Sequence, residues 1–321
     1  MEKIPINQIK EKLLQHAIFN RWPQLTGIIE KYSEKESFAT WDYVTWACEL
    51  VGGNKEAAIN GSISNLCMFQ SIHLVDDLLD EDPLGYHIQN GVGTTANISH
   101  IFSSLASLFI EYTHLSESSK IIAFKNIAQT ILNTAYGQNE DIHAKGTEED
   151  YWRIVKLKTP PLFYSAIFIG ALLGGVEPKT ARLIAELGDP LGKLIQLNDD
   201  LGDVFKDGKT TDWEQPEKNI VLIYCLNATY EKKERFQKLL VNLDTENNIT
   251  ELQGIALECG AVSFCLYNII ETYKEALKII HRFPTQYQNS SKELFEYHIR
   301  KIVSLLNKLD VNITFDDLVN T

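Results

Sequence analysis

Proline placement sets the tightest limit on how this chain can fold. None occurs between Pro83 and Pro160, and none between Pro216 and Pro284, so both stretches can carry long uninterrupted helices. Inside the first, Ile121, Phe124, Ala128, Ile131, Leu132 and Ala135 recur at the spacing of one helix face. Strand signals are poor: no alternating β-branched run flanks an Asn-Gly or Asp-Gly turn, and Asp207-Gly208 sits in a charged loop. The predicted fold class is therefore all-α. No Ser/Gly/Pro-rich linker and no shift of composition divides the 321 residues, so one helical domain over 1–321 is expected.

Charge narrows the partners. Asp and Glu outnumber Lys and Arg, 43 to 30, for a net charge of −13, which excludes a broad nucleic-acid or anionic-membrane footprint. An acidic chain still binds an anionic ligand when divalent metals bridge the two. The five cysteines, Cys48, Cys67, Cys225, Cys259 and Cys265, are scattered without a CxxC or Cys/His zinc pattern and read as reduced thiols. The charged N-terminus lacks a signal-peptide core, and no apolar run reaches membrane-spanning length. A cytoplasmic protein without integral membrane association is expected.

Two acidic segments repeat one design. In a helix Asp76 and Asp80 are i,i+4 neighbours on a face that runs back through His73, Ile72 and Phe69. Asp199 and Asp203 share a face in the same way, preceded by Gln196, Ile195 and Gly192. Each segment has the form DDxxD, completed by Asp77 and Asp200. A single such segment reads as a solvated acidic face. Like charges at i,i+4 destabilise a bare helix, and two copies ending apolar stripes call for a compensating cation. Hard oxygen ligands without His or Cys suit Mg²⁺, which joins carboxylates to substrate phosphate oxygens. The predicted metal set is Asp76, Asp77, Asp80, Asp199, Asp200 and Asp203, with Asp76, Asp80 and Asp199 central to catalysis. An acidic, metal-loaded mouth over an apolar interior suits an amphiphile with a diphosphate head, ionised to an allylic cation that is kept from water.

On these motifs the chain resembles the trans-isoprenyl diphosphate synthases, the superfamily of farnesyl and geranylgeranyl diphosphate synthases, from about Ala47 to Leu222. Asp76-Asp77-Leu78-Leu79-Asp80 looks like the family's first aspartate-rich motif, and Gln196 to Asp203 like its second. Gly137-Gln138-x-x-Asp141 is similar to the G-Q-x-x-D helix. Lys158-Thr159 is similar to the Lys-Thr motif, whose lysine contacts the allylic diphosphate. Lys209 and Lys218 fit the loop that closes over that diphosphate. The resemblance implies an isoprenoid-synthase fold with a central cavity, Mg²⁺ dependence, a prenyl diphosphate substrate and a homodimer. The expected substrate-binding residues are Lys158, Thr159, Gln196, Lys209, Lys218, Gln138, Phe69 and Ile72, with Lys158 also catalytic.

The departures concern the second substrate. Where the family carries Gly-Gly-Lys-x-x-Arg for isopentenyl diphosphate, this chain has Glu36 and Ala39 in the Lys and Arg places. The Arg-Arg-Gly after the first motif is replaced by Pro83-Leu84-Gly85-Tyr86-His87, and the upstream His or Gln by Phe69. A second diphosphate without a basic cradle leaves its desolvation uncompensated. The expected activity is ionisation of a farnesyl- to geranylgeranyl-sized or longer prenyl diphosphate, followed by cyclisation or transfer to a non-isopentenyl acceptor. Ser71 and Ile72, where the family places floor-blocking aromatics, leave room for a long tail. Two other readings fit: a chain-elongating synthase with a cradle built from Lys31, Lys35 or Arg21, and a non-catalytic partner subunit of a synthase.

Overall fold

The structure is a computed structural model that describes residues 3–32, 38–243, 246–309 and 311–319. Every regular element among the described residues is helical. The helices of two turns or more are α1 (Ile6–Leu14), α2 (Asp42–Leu50), α3 (Lys55–Leu79), α4 (Val92–Glu111), α5 (Glu117–Asp141), α6 (Glu148–Lys158), α7 (Pro160–Leu173), α8 (Pro178–Ala185), α9 (Gly188–Phe205), α10 (Ile220–Asn227), α11 (Lys233–Leu240), α12 (Glu246–Glu258), α13 (Ala261–Ile280) and α14 (Thr285–Lys308). The all-α expectation holds. The chain gathers into two compact units, Met1–Gln138 with Pro161–Gly188, and Asn139–Pro160 with Asp189–Thr321.

The first unit is organised by α3. Asn54 starts this helix by accepting from the Ala57 amide at 2.9 Å, satisfying one of the donors a helix N-terminus leaves open. Its middle is fully enclosed: Ile63, Leu66, Cys67 and Met68 have no exposed surface, and each large apolar side chain buried this way contributes about 2 kcal/mol. Two serines tie the helix pair together, Ser64 donating to the Ala106 carbonyl at 2.6 Å and Ser99 to that of Ser71 at 2.9 Å. Gly170 lets α7 approach α2, because a Cβ there would collide with the Val44 carbonyl.

The end of α3 is unusual. The Asp82 amide donates to Asp77 O at 3.0 Å, the six-to-one bond of a Schellman stop. The left-handed position of such a stop belongs to glycine, yet Glu81 occupies it at φ 52°. The first acidic motif thus closes its helix on a strained residue.

In the second unit α9 buries Leu191, Leu194, Leu197, Leu201 and Val204 completely, an i, i+3, i+7 stripe. Gly192 on the same helix lies against the backbone of Pro160, where any side chain would clash. Helix α10 is capped by Asn219, whose Oδ1 accepts from the amides of Val221 and Leu222 at 2.9 and 3.3 Å. No single helix among the described residues is long and apolar enough to cross a membrane. The bent pair Asn248–Glu258 and Ala261–Ile280 matches one only in length and composition, and it buries Leu252, Cys265 and Ile269 in the protein.

Candidate active site

The acidic residues of the first unit sit on the last turn of α3 and its cap. Asp77 follows the buried Leu74 by three positions, its side chain 13% exposed. Burial pushes its carboxyl above the ordinary value, against the lowering effect of His73, whose Nδ1 lies 3.5 Å from Asp77 Oδ1. Asp80 accepts from Gln138 Nε2 at 3.0 Å, and the buried Gln138 keeps its Oε1 without a protein partner. Two residues nominated separately by the sequence, Gln138 and Asp80, therefore meet.

Upstream of these carboxylates the surface of α3 is aromatic. Phe69 stacks on His73 with ring centroids 5.7 Å apart and meets the edge of Trp41 at 6.2 Å. Trp41 in turn meets the edge of Tyr32 at 5.2 Å, and the Tyr32 hydroxyl donates to Gln70. Lys31 lies over the ring of Tyr86 at 5.7 Å. Ala39 donates its amide to Asp42 Oδ2 at 2.8 Å. Glu36 and Lys35 lie outside the described residues. Ile72 is half-buried on the same helix.

In the second unit α9 carries Gln196, Asp199, Asp200 and Asp203. Asp200 falls on the buried leucine stripe, three positions after Leu197, and is 3% exposed. Its two oxygens are engaged by protein donors: Oδ1 accepts from Gln196 Nε2 and Oδ2 from the Ile220 amide, both at 2.8 Å. Burial raises its carboxyl to about 7 in spite of those bonds. The buried phenol of Tyr151 stands beside it and is itself pushed up by burial and by that charge. Gln196 Oε1 accepts from the Thr159 hydroxyl at 2.9 Å, so Thr159, Gln196 and Asp200 form one chain of hydrogen bonds.

Asp199 and Asp203 face away from the leucine stripe. Burial, then the charge of Asp203, raises Asp199 to about 6. Burial also raises Asp203 and Asp212. Asp212 Oδ2 accepts from Asn219 Nδ2 at 2.7 Å, and the same amide group donates to the Asp200 carbonyl at 2.8 Å. Carboxylates whose charges raise one another's pKa are a donor set suited to a hard divalent cation. Among the described residues no three His, Cys, Asp or Glu side chains are gathered closely enough to enclose an ion alone.

The nominated lysines divide. Lys158, the last residue of α6, lies 2.8 Å from Asp141 Oδ2, and Lys218 reaches the same oxygen at 3.4 Å. Lys209 is not brought to them; it pairs with Glu214 at 2.7 Å in the loop after α9. Two residues of this neighbourhood escape a motif-by-motif reading: Tyr151 and Asn219. Asn219 carries a local signal, an N-cap type ahead of the apolar Ile220-Val221-Leu222 run. Asp141 closes the Gly137-Gln138 motif without disclosing its partners, and Tyr151 carries no signal at all.

Comparison with known proteins follows the same residues. The polyprenyl synthetase family model matches residues 44–255, a span that includes both acidic helices. The geranylgeranyl diphosphate synthase of Sulfolobus acidocaldarius is 23% identical over 282 residues, covering 80% of this chain and 84% of that protein. The geranylfarnesyl diphosphate synthase of Aeropyrum pernix is 24% identical over 264 residues, 75% of this chain and 80% of its own length. For the fold, the crystal structure of a polyprenyl synthetase from Streptomyces coelicolor A3(2) superposes with a TM-score of 0.75 at 17% identity, over 91% of this chain and 97% of that one. Helices, acidic motifs and family match agree: the chain belongs to the polyprenyl synthetase family, within the trans-isoprenyl diphosphate synthase superfamily, and is a prenyltransferase.

Proposed function

We propose that this chain ionises an allylic prenyl diphosphate in a Mg²⁺-dependent reaction and captures the allylic cation without isopentenyl diphosphate, by the substrate's own double bonds or by a different acceptor. Asp76, Asp77 and Asp80 would hold Mg²⁺, and so would Asp199 and Asp203. The bound metal would neutralise the diphosphate and make it a leaving group. Asp200, grouped with the metal carboxylates by its motif, is assigned to support, since protein donors fill both its oxygens.

The remaining groups follow from their neighbours. Lys158 and Lys218 take the charge of the departing diphosphate as it competes with Asp141 for their ammonium groups. Thr159 and Gln196 hold the end of α6 to the acidic helix, Gln138 orients Asp80, and Lys209 closes from the loop. Phe69 and Ile72, half-buried on the face behind Asp76, contact the hydrocarbon and exclude water. Ser71, whose small side chain is engaged by Ser99 at 3.1 Å, is compatible with a geranylgeranyl-sized tail. Exposed Ile121, Leu132 and Tyr136 on α5 support a homodimer.

The observation that carries this reading is the aromatic run of Tyr32, Trp41, Phe69 and His73 ahead of the first acidic motif. An aromatic wall stabilises a cation and gives a second diphosphate no counter-charge. One observation favours chain elongation: Lys31 stands over Tyr86 and supplies a cation in this unit, and the relatives named above are elongating synthases. A single incubation series separates the two. Geranyl, farnesyl and geranylgeranyl diphosphates are supplied with Mg²⁺, with and without isopentenyl diphosphate, and hydrocarbons and longer diphosphates are analysed separately. Diphosphate release and a hydrocarbon product without the second substrate support the proposal. Efficient incorporation of isopentenyl diphosphate overturns it in favour of elongation.

A further inference from the structure

The five cysteines are scattered along the sequence, yet two of them meet. Cys225 in α10 and Cys259, just after α12, are 34 positions apart and bring their Sγ atoms to 3.7 Å. Two of the remaining thiols are buried against backbone carbonyls, Cys48 on Asn54 O at 3.6 Å and Cys265 on Leu197 O at 3.8 Å, and Cys67 is fully buried. We propose that Cys225 and Cys259 form a reversible dithiol–disulfide pair, an oxidative modification site that fastens α10 to the junction of α12 and α13.

The geometry supplies what such a pair requires. Disulfide sulfurs lie about 2.05 Å apart, so closure asks for a movement of about 1.6 Å. Cys259 lies outside regular helix, between α12 and α13, followed by Gly260 at φ 96°. The two thiols also differ in access. Cys259 is half-buried and open to a small oxidant, whereas Cys225 is buried. The hydrogen bond between them lowers Cys259 to about 7 and, with burial, raises Cys225. Cys259 is therefore the thiol that reacts first and Cys225 the one that resolves.

With a peroxide as oxidant the steps balance. The Cys259 thiolate attacks one oxygen of hydrogen peroxide; the S–O bond forms, the O–O bond breaks, and hydroxide leaves to become water. Cys259 is now a sulfenic acid. The Cys225 sulfur attacks it; the S–S bond forms, the S–O bond breaks, and the departing hydroxide takes the Cys225 proton as a second water. Two thiols lose two electrons, and peroxide is reduced to two waters. A dithiol reverses the bond by exchange.

The bond falls on an element that reaches the acidic helix. The N-terminal end of α10 holds Asp200 through the Ile220 amide and both Asp200 and Asp212 through Asn219. A cross-link at Cys225 fixes the same short helix further along. The test uses the full-length reduced chain, titrated with hydrogen peroxide, then alkylated, digested and mapped by mass spectrometry. The expected result is a peptide joined through Cys225 and Cys259, lost on dithiothreitol treatment, while Cys48, Cys67 and Cys265 stay alkylatable after unfolding. Oxidation is expected to raise Tm by several degrees and to slow exchange of the Ile220 amide, with neither change in Cys225→Ser or Cys259→Ser. The proposal is overturned if peroxide leaves both thiols alkylatable, if Cys259 proceeds to sulfinic acid with Cys225 untouched, or if the only bridges formed join different chains. The map on the native sequence decides these outcomes without either variant.

Discussion

Lys158 and Lys218 share one oxygen of Asp141, at 2.8 and 3.4 Å from Oδ2. Two ammonium groups drawn from separate elements tolerate this closeness because a buried carboxylate, 8% exposed, stands between them. Asp141 is a positioning residue. Losing a charge-assisted bond costs about 2 kcal/mol, or roughly 30-fold in a binding constant. Asp141→Asn is expected to raise KM for the prenyl diphosphate by about that factor and to change kcat less. Lys158→Ala is expected to lower kcat as well. Steady-state diphosphate release measures both, and an unchanged KM in Asp141→Asn defeats the assignment.

Asp199 and Asp200 are adjacent, and their variants are expected to fail differently. Asp199→Asn is expected to lower Mg²⁺-dependent diphosphate release by a factor of about 10²–10³, with an intact circular dichroism spectrum and unaltered urea midpoint. Asp200→Ala removes the acceptor of the Ile220 amide and of Gln196, and is expected to destabilise the fold by about 3 kcal/mol. Urea denaturation read beside the metal dependence tells them apart. Equal behaviour of the two variants contradicts the division of roles.

Glu81 holds a left-handed backbone at φ 52°, a conformation that costs an ordinary residue about 1–2 kcal/mol. Glu81→Gly is expected to stabilise the protein by about 1 kcal/mol, offset in part by the freer unfolded chain. A rise in the urea midpoint checks this. A fall indicates that the Glu81 side chain contributes more than its backbone costs.

His298 is 5% exposed on α14, and burial, then Lys301, lowers its imidazole from 6.5 to about 3. The folded state keeps the ring neutral where the unfolded state takes a proton. Stability is therefore complete above pH 6.5 and falls as pH drops from 6.5 toward 3, by at most about 1.4 kcal/mol per pH unit from this group. His298→Gln is expected to shrink the difference in urea midpoint between pH 7.5 and pH 5.0. An identical difference in variant and parent rules out His298 as the source.

Much of this was legible before any coordinates. Proline-free stretches with helical periodicity announce helices, and two DDxxD segments ending apolar stripes single out the helices on which the site is proposed. Even the inward turn of Asp200 is readable in principle, since Leu197 and Val204 flank it at helical spacing. What stays hidden depends on contacts between distant segments. Nothing near Asp141 in sequence says that Lys158 and Lys218 converge on it, and nothing near Tyr151 points to Asp200. Cys225 and Cys259 look like scattered thiols until α10 and the end of α12 pack together. Glu81 misleads locally, because a glycine is the expected stop signal and a glutamate takes its place.

The burial of Asp200 bears on how protein catalogues are searched. A text pattern gives each aspartate of DDxxD the same weight, but a helix of 3.6 residues per turn sorts the letters by direction. On the proposed assignment, a homologue with asparagine at that second letter keeps its ligands for the ion and loses its architecture instead. Scoring schemes that count such a chain as one metal ligand short would be ranking the right sequences for the wrong reason.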